Sequence, residues 1–172
     1  MELNLKILIN EEELQSRIKE LAKEITDYYK DKTDSIHAVC VLKGAIHFFT
    51  DLVKHIDLNV EYSFIHVSSY SGTESTGKIR VKSWIDEPIE KKYVLVVDDI
   101  LDTGLTLSYI LGYLRRYNPE DLKVATLLKK QGRNPAVSAD FVGFDIEDKF
   151  VIGYGLDFDE KFRNIPYIGY LE

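Results

Sequence analysis

Cysteine is nearly absent from this chain: Cys40 is the only one in 172 residues. A lone thiol cannot close an intrachain disulfide, which excludes a disulfide scaffold and predicts a buried, reduced side chain in an apolar run. Long hydrophobic runs are missing as well. Nothing approaches the roughly 20 residues of a membrane-spanning helix, and Met1-Glu2-Leu3-Asn4 lacks the basic start of a secretory signal. The expectation is a cytoplasmic protein. Positive charge is in deficit, with 22 Lys and Arg against 29 Asp and Glu and a formal net charge of -7. That balance argues against nucleic acid or a membrane surface as partner. The four histidines (His37, His47, His55, His66) show no metal-ligand spacing with one another. Repeats, low-complexity tracts and linkers are also lacking, so residues 1–172 are read as one domain.

What is present is concentrated between Tyr93 and Thr106. An apolar run rich in Val enters two adjacent carboxylates, Asp98 and Asp99, and Ile100, Leu101, Asp102, Thr103, Gly104, Leu105 and Thr106 follow. The run predicts a strand covered on both faces. Leu107, Ile110, Leu111 and Leu114 then recur at helical spacing. A Thr/Gly turn between a buried strand and a helix start offers free backbone N–H groups, which suits a phosphate. Carboxylates beside a phosphate repel it unless a cation intervenes or they face hydroxyls. A ribose carrying a 5-phosphate and a second phosphate group, together with Mg²⁺, satisfies the whole pattern. The bland alternative makes Asp102 or Thr103 a helix cap and leaves the acids solvated. Acids at the carboxyl end of a buried strand weigh against it, because open α/β sheets bind ligands there.

This stretch resembles the phosphoribosyl-pyrophosphate motif of the type I phosphoribosyltransferases. The resemblance implies an α/β fold whose central, mostly parallel sheet is flanked by helices. It also implies a small hood, built from the N-terminal segment and residues from about 130 onward, and a flexible hairpin loop. Alternating strand and helix patterns agree. Asn10 and Glu13 open a helix carried by Leu14, Ile18, Leu21, Ile25 and Tyr28. Strands are predicted over 36–42, across Val60, Tyr62 and Phe64, over 78–85, 122–128, 141–146, 150–156 and 167–171, with a second helix from Ile46 to Ile56. Ser68 to Gly77, rich in Ser, Thr and Gly, reads as a long loop at a hairpin tip.

Within that family, the resemblance assigns Lys43 and Gly44, after the strand ending at Leu42, to a pyrophosphate loop with a cis Leu42–Lys43 peptide. The family often carries a second glycine where Ala45 stands. Ser69 and Tyr70 would belong to a lid that closes over substrate. The purine-selecting members place a Lys after Leu-Leu-x to donate to the 6-oxygen of the base. Counting from Leu127-Leu128 picks Lys130, and counting back from Asp140-Phe141 picks Lys129. Length changes fall in loops, which favours Lys130. Asp148 to Asp157 resembles the base-binding strand of 6-oxopurine enzymes. Phe150 would stack on the purine and the Val151 backbone would bond its edge. Ile100 and Leu156 would line the base pocket, and Asp157 would reach a second Mg²⁺ through water. Arg163 would pair with pyrophosphate, Asp98 and Asp99 with ribose and metal, and Asp102 would be the general acid/base. A Glu is frequent at the position of Asp98. The resemblance implies Mg²⁺ as cofactor, phosphoribosyl pyrophosphate and 6-oxopurine bases as partners, and a homodimer or homotetramer. Two readings from other classes remain beside it. An RNA-binding regulator on the same fold would need a basic face, and a receiver-like domain would need a phospho-accepting Asp where Lys43 stands.

Overall fold

The computed structural model describes residues 4–69 and 78–172. Its larger sheet has six strands in the order β4-β3-β2-β5-β6-β7. They are β2 (Ser35–Leu42), β3 (Asn59–Ser69), β4 (Ile79–Ser83), β5 (Tyr93–Leu101), β6 (Asp121–Lys130) and β7 (Phe141–Ile146). All neighbours pair parallel except β4, which runs antiparallel to β3. Helices α1 (Glu11–Tyr29), α2 (Ile46–Val53) and α3 (Leu105–Arg115) connect and cover them. A smaller antiparallel sheet joins β1 (Leu5–Ile9), β9 (Ile168–Leu171) and β8 (Val151–Ile152), with β9 in the middle.

The two-residue period of β5 explains the layering. Leu95 and Val97 point into a core shared with α1 and α2, through Leu14, Ile18, Leu21, Ile25, Phe48 and Leu52. Val94 and Val96 point into the opposite core with Leu107, Ile110, Leu111 and Leu114 of α3. A strand buried on both faces reads as a continuous apolar run, and its central position follows from that. From β2 the chain crosses through α2 to β3 on one side, and from β5 through α3 to β6 on the other. The connection order therefore reverses between β2 and β5. The carboxyl ends of these two strands flank the crevice where such sheets take their ligands.

Local expectations meet the structure with several corrections. Asn10 caps α1, its side chain accepting from the Glu13 N–H at 2.8 Å. The buried stripe ends on Tyr29 rather than Tyr28, because Tyr28 turns to the rim and donates its hydroxyl to Asp121 at 2.8 Å. On β3 the fully buried face is Ser63, Ile65 and Val67, while Tyr62 and Phe64 stay about half exposed, edge-on to Phe49 of the short α2. The predicted loop begins too early: Ser68 and Ser69 continue β3, opposite Arg80 and Ile79. Backbone pairing in a hairpin does not require apolar side chains. Tyr70, the other residue assigned to the lid, lies outside the described residues. The segment 141–146, assigned to the hood, is instead the edge strand of the large sheet, and the strand expected over 150–156 shrinks to Val151–Ile152. Strand β1 was not foreseen.

Candidate active site

A cavity of about 580 Å³ opens at the switch point between β2 and β5. The turn after β2, the segment from Asp98 to Leu107, and Asp157, Glu160 and Arg163 all line it. β5 is fully buried from Val94 to Val97 and part-buried from Asp98 to Ile100. Asp98 accepts from the Asp99 N–H at 2.9 Å, and Asp99 from the Ile100 N–H at 2.7 Å. Burial holds the Asp98 carboxyl well above the ordinary carboxylate range, and the adjoining Asp99 charge adds to this. Burial raises Asp99 as well, opposed by its backbone hydrogen bonds and by Arg163. Neither carboxylate has an ion-pair partner within 4 Å among the described residues.

The Thr/Gly turn after β5 leads into α3 as its composition suggests. Gly104 stands at the cap position of α3 with φ +73°, a left-handed conformation that disfavours a side chain. No side chain caps α3, and the Thr103 hydroxyl reaches the Leu105 N–H only at 3.4 Å. A carboxylate cap at Asp102, the bland alternative, is therefore not what forms. The first-turn residues Leu105, Thr106 and Leu107 of α3 line the cavity, which brings the positive end of the helix dipole beside it. Gly44 closes the opposite wall. A Cβ there would sit 1.8 Å from Asp99 Oδ2, so glycine leaves room for that carboxylate where it stands. The Leu42–Lys43 peptide is cis.

The two cations of the cavity are already engaged. Lys43 Nζ lies 2.8 Å from Glu160, and Arg163 contacts Glu160 at 3.0 Å and Asp157 at 3.4 Å. Arg163 also donates to the Gly155 carbonyl at 2.7 Å, while its buried Nε has no partner. Lys43 and Arg163 hold the Glu160 carboxyl below its ordinary range. An anion entering here would exchange with Glu160, which sequence reasoning missed because its role exists only once residue 160 folds beside residue 43.

The structure thus gathers Lys43, Gly44, Asp98, Asp99, Ile100, Asp102, Thr103, Gly104, Leu105, Thr106, Asp157 and Arg163 around one cavity. Lys130, Phe150, Val151 and Leu156 lie outside its lining. Lys130 still reaches Asp102 at 3.4 Å and Asp148 at 3.3 Å, so it borders the site through the candidate acid/base. Phe150 is 54% exposed and packs edge-on against Phe158, whereas Val151 and Leu156 are buried. Arg133, unassigned from sequence, joins the same cluster: Nε is 3.2 Å from Asp102 and Nη2 is 2.8 Å from Asp148. A basic residue three positions after Lys130 was the only signal for it.

The residues fit a hard divalent cation. Asp98 and Asp99 are two part-buried carboxylates with no ion-pair partner within 4 Å among the described residues, which is an oxygen donor set short of positive charge. No cluster of three or more side-chain ligands exists among the described residues, so water and substrate oxygens would complete the coordination.

Comparison with known proteins places this geometry. The family described as phosphoribosyl transferase domain matches residues 6–159. Hypoxanthine-guanine phosphoribosyltransferase of Bacillus subtilis (strain 168) is 46% identical over 169 residues, covering 97% of this chain and 93% of that protein. Hypoxanthine-guanine-xanthine phosphoribosyltransferase of Tritrichomonas foetus is also 46% identical over 169 residues, covering 97% and 91%. A crystal structure of a hypoxanthine phosphoribosyltransferase from Staphylococcus aureus superposes with a TM-score of 0.90 at 42% identity, covering 99% of this chain and 92% of that one. The chain belongs to the phosphoribosyltransferase family.

Proposed function

We propose that this enzyme serves purine salvage, transferring the 5-phosphoribosyl group of phosphoribosyl pyrophosphate to N9 of hypoxanthine or guanine. The products are IMP or GMP and pyrophosphate. The observation that carries this reading is the cavity itself, which sets the Asp102–Thr106 turn against Lys43 and Arg163 across the buried acid pair. The turn N–H groups and Thr103 and Thr106 hold the 5-phosphate. Binding energy far from C1 then fixes the ribose ring while the C1 bond to pyrophosphate loosens and the ring oxygen shares the positive charge. Lys43 and Arg163 receive the pyrophosphate by giving up Glu160. Asp98 and Asp99 face the ribose hydroxyls and Mg²⁺, and Asp157 a second Mg²⁺ through water. When bound, the metal supplies neutralisation of the leaving diphosphate.

On the base side, Lys130 donates to the 6-oxygen, Phe150 stacks on the ring and the Val151 backbone bonds its edge, with Ile100 and Leu156 beside them. Asp102 exchanges a proton with the imidazole nitrogen of the purine. Ser69 and Tyr70 belong to a lid that keeps water from the reacting centre. The half-exposed aromatics Tyr62, Phe64, Tyr109 and Tyr117 supply apolar surface for a homodimer or homotetramer. A cytoplasmic setting suits Cys40, whose fully buried thiol is pushed up to about 12.

A spectrophotometric panel of hypoxanthine, guanine, xanthine and adenine, each with phosphoribosyl pyrophosphate and Mg²⁺, tests the reading. Turnover of 6-oxopurines, loss with excess chelator and poor use of adenine are expected. Equal turnover of adenine, or full turnover in chelator, overturns it.

A further inference from the structure

We propose that Arg133 is a positioning residue for the purine. It holds the carboxylates of Asp102 and Asp148 so that the Lys130 ammonium is free to leave them and meet the base. The proposal rests on the 6-oxopurine reading above and goes beyond it, because it concerns how Lys130 becomes available.

Four charges form a closed square at the border of the cavity. Lys130 Nζ lies 3.4 Å from Asp102 and 3.3 Å from Asp148, and its side chain is only 12% exposed. Arg133 approaches the same two acids, Nε at 3.2 Å from Asp102 and Nη2 at 2.8 Å from Asp148. Each carboxylate thus has two cations and each cation two carboxylates. Two of the three N–H directions of the Lys130 ammonium point toward these acids, so aiming its charge fully at a ligand oxygen weakens one of the ion pairs. Turning away from Asp102, the less exposed of the two acids, leaves that carboxylate with one cation fewer unless a second partner stands beside it. Arg133 is that second partner. Its guanidinium donates through Nη2 to Asp148 and sets Nε 3.2 Å from the buried Asp102 Oδ1, an ion-pair contact without a hydrogen bond, whereas Lys130 carries a single rotatable point charge. Base entry then exchanges one Lys130 contact for the 6-oxygen while both acids stay paired.

The segment carrying Arg133 is fastened to the phosphate turn. The Ala136 N–H donates to the Thr103 carbonyl at 2.9 Å, and Pro135 and Ala136 lie against Gly104. Arg133 is therefore placed by the element that binds the 5-phosphate, and its own side chain, 42% exposed, is not part of the core. Arg133 and Lys130 also lower the Asp148 carboxyl, as expected for an acid already committed to cations.

The test is a steady-state split in the Mg²⁺-loaded enzyme, comparing the parent with Arg133→Ala, Arg133→Lys and Asp148→Asn. KM for hypoxanthine is measured at saturating phosphoribosyl pyrophosphate, and KM for phosphoribosyl pyrophosphate at saturating hypoxanthine. Arg133→Ala should raise the hypoxanthine KM about tenfold, the scale of one lost charge-assisted hydrogen bond, and move the other KM less than about twofold. Arg133→Lys should recover part of the loss, since it keeps the charge but not the fork. Asp148→Asn should remove most of the effect of Arg133→Ala in the double variant, because the two act on one contact. Thermal melts should stay within about 2 °C of the parent, as an exposed substitution predicts. Equal rises in both KM values, no rise in either, or additive single effects would overturn the role of Arg133. A parent enzyme that does not use 6-oxopurines would instead overturn the reading on which it rests.

Discussion

At the amino ends of the parallel strands, buried His37 of β2 lies with Nε2 2.6 Å from Ser63 Oγ and Nδ1 3.3 Å from Glu61. Ser63 donates onward to Glu87 at 2.7 Å, and Lys92 donates to Glu61 at 2.6 Å. Nearby, Tyr28, Asp121, Lys123 and Asp140 form a second matched set. At the carboxyl ends, Asp98 and Asp99 stand side by side, part-buried, and among the described residues they have no ion-pair partner within 4 Å and the buried Nε of Arg163 has no hydrogen-bond partner. Among the described residues the same sheet therefore pairs its charges at one end, where only the buried Tyr29 hydroxyl lacks a partner, and leaves an acid pair without an ion-pair partner at the other. Unmet charge destabilises a fold, and it persists where a ligand completes it. Stability and chemistry are thus segregated along the strand axis, and substitutions at the two ends should fail in different ways.

The largest effect is expected at the carboxyl end. Asp102→Asn keeps size but loses basicity, and the turn N–H groups proposed for the 5-phosphate are unaffected. Single-turnover transfer should slow by roughly 10²–10⁴, the usual range for a lost general acid/base, with phosphoribosyl pyrophosphate affinity and Tm close to the parent. An unchanged single-turnover rate removes Asp102 from the chemistry. The converse break is His37→Ala. It empties a buried site and strands the Ser63 and Glu61 contacts, costing about 2–3 kcal/mol. For a chain of this size that is roughly 5–10 °C in Tm. kcat should stay within about twofold at a temperature where the variant is folded. A large fall in kcat without a fall in Tm would show that the two ends are not separate.

How far each end was legible in the sequence follows the same division. Asp98 to Thr106 could be read because its strand end, acids, turn and helix start are contiguous, and the carboxyl end of a buried strand is a known place for ligands. That Lys130 rather than Lys129 neighbours Asp102 is visible only in the fold. Register sets Lys129 opposite Leu101, and the next residue reaches Asp102. Glu160 and the Arg133–Asp148 pair were illegible because their partners lie far away in the chain. The same holds for the His37–Ser63–Glu87 chain, drawn from β2, β3 and the segment before β5. β1 escaped notice since only Ile9 of its five residues is fully buried, and its partner strand ends at Leu171. An edge strand with little apolar alternation leaves no local signature.

A smaller effect sharpens the claim that the acid pair is a cost of the metal-free fold. Asp98→Asn removes one of two adjacent buried charges. In chelator at neutral pH its Tm should exceed that of the parent by about 2–4 °C, the scale of roughly 1 kcal/mol for a domain this size. Added Mg²⁺ should raise the parent Tm and raise the variant less. Thermal melts with and without the metal decide it. A variant that melts below the parent in chelator would mean that Asp98 is satisfied without a cation.

The smallest effect belongs to the matched end and reads its charge pairing directly. Lys92 first, and His37 second, hold the Glu61 carboxyl below its ordinary 4.5. A depressed folded-state pKa gives stability that is fully present above the unfolded value and is lost as pH falls through the folded one. Glu61 is 53% exposed, so solvent screening limits the contribution to under about 1 kcal/mol. Glu61→Gln should therefore lower Tm at pH 7 by about 2 °C or less, and parent and variant curves should converge as pH drops below about 4.5. Added salt should narrow the gap at pH 7, because a half-exposed pair is screened. A gap that persists unchanged at pH 3 would assign the loss to packing of the side chain rather than to its charge. The matched end would then owe its stability to shape, and the contrast with the acid pair would be one of packing against charge rather than of paired against unpaired charge.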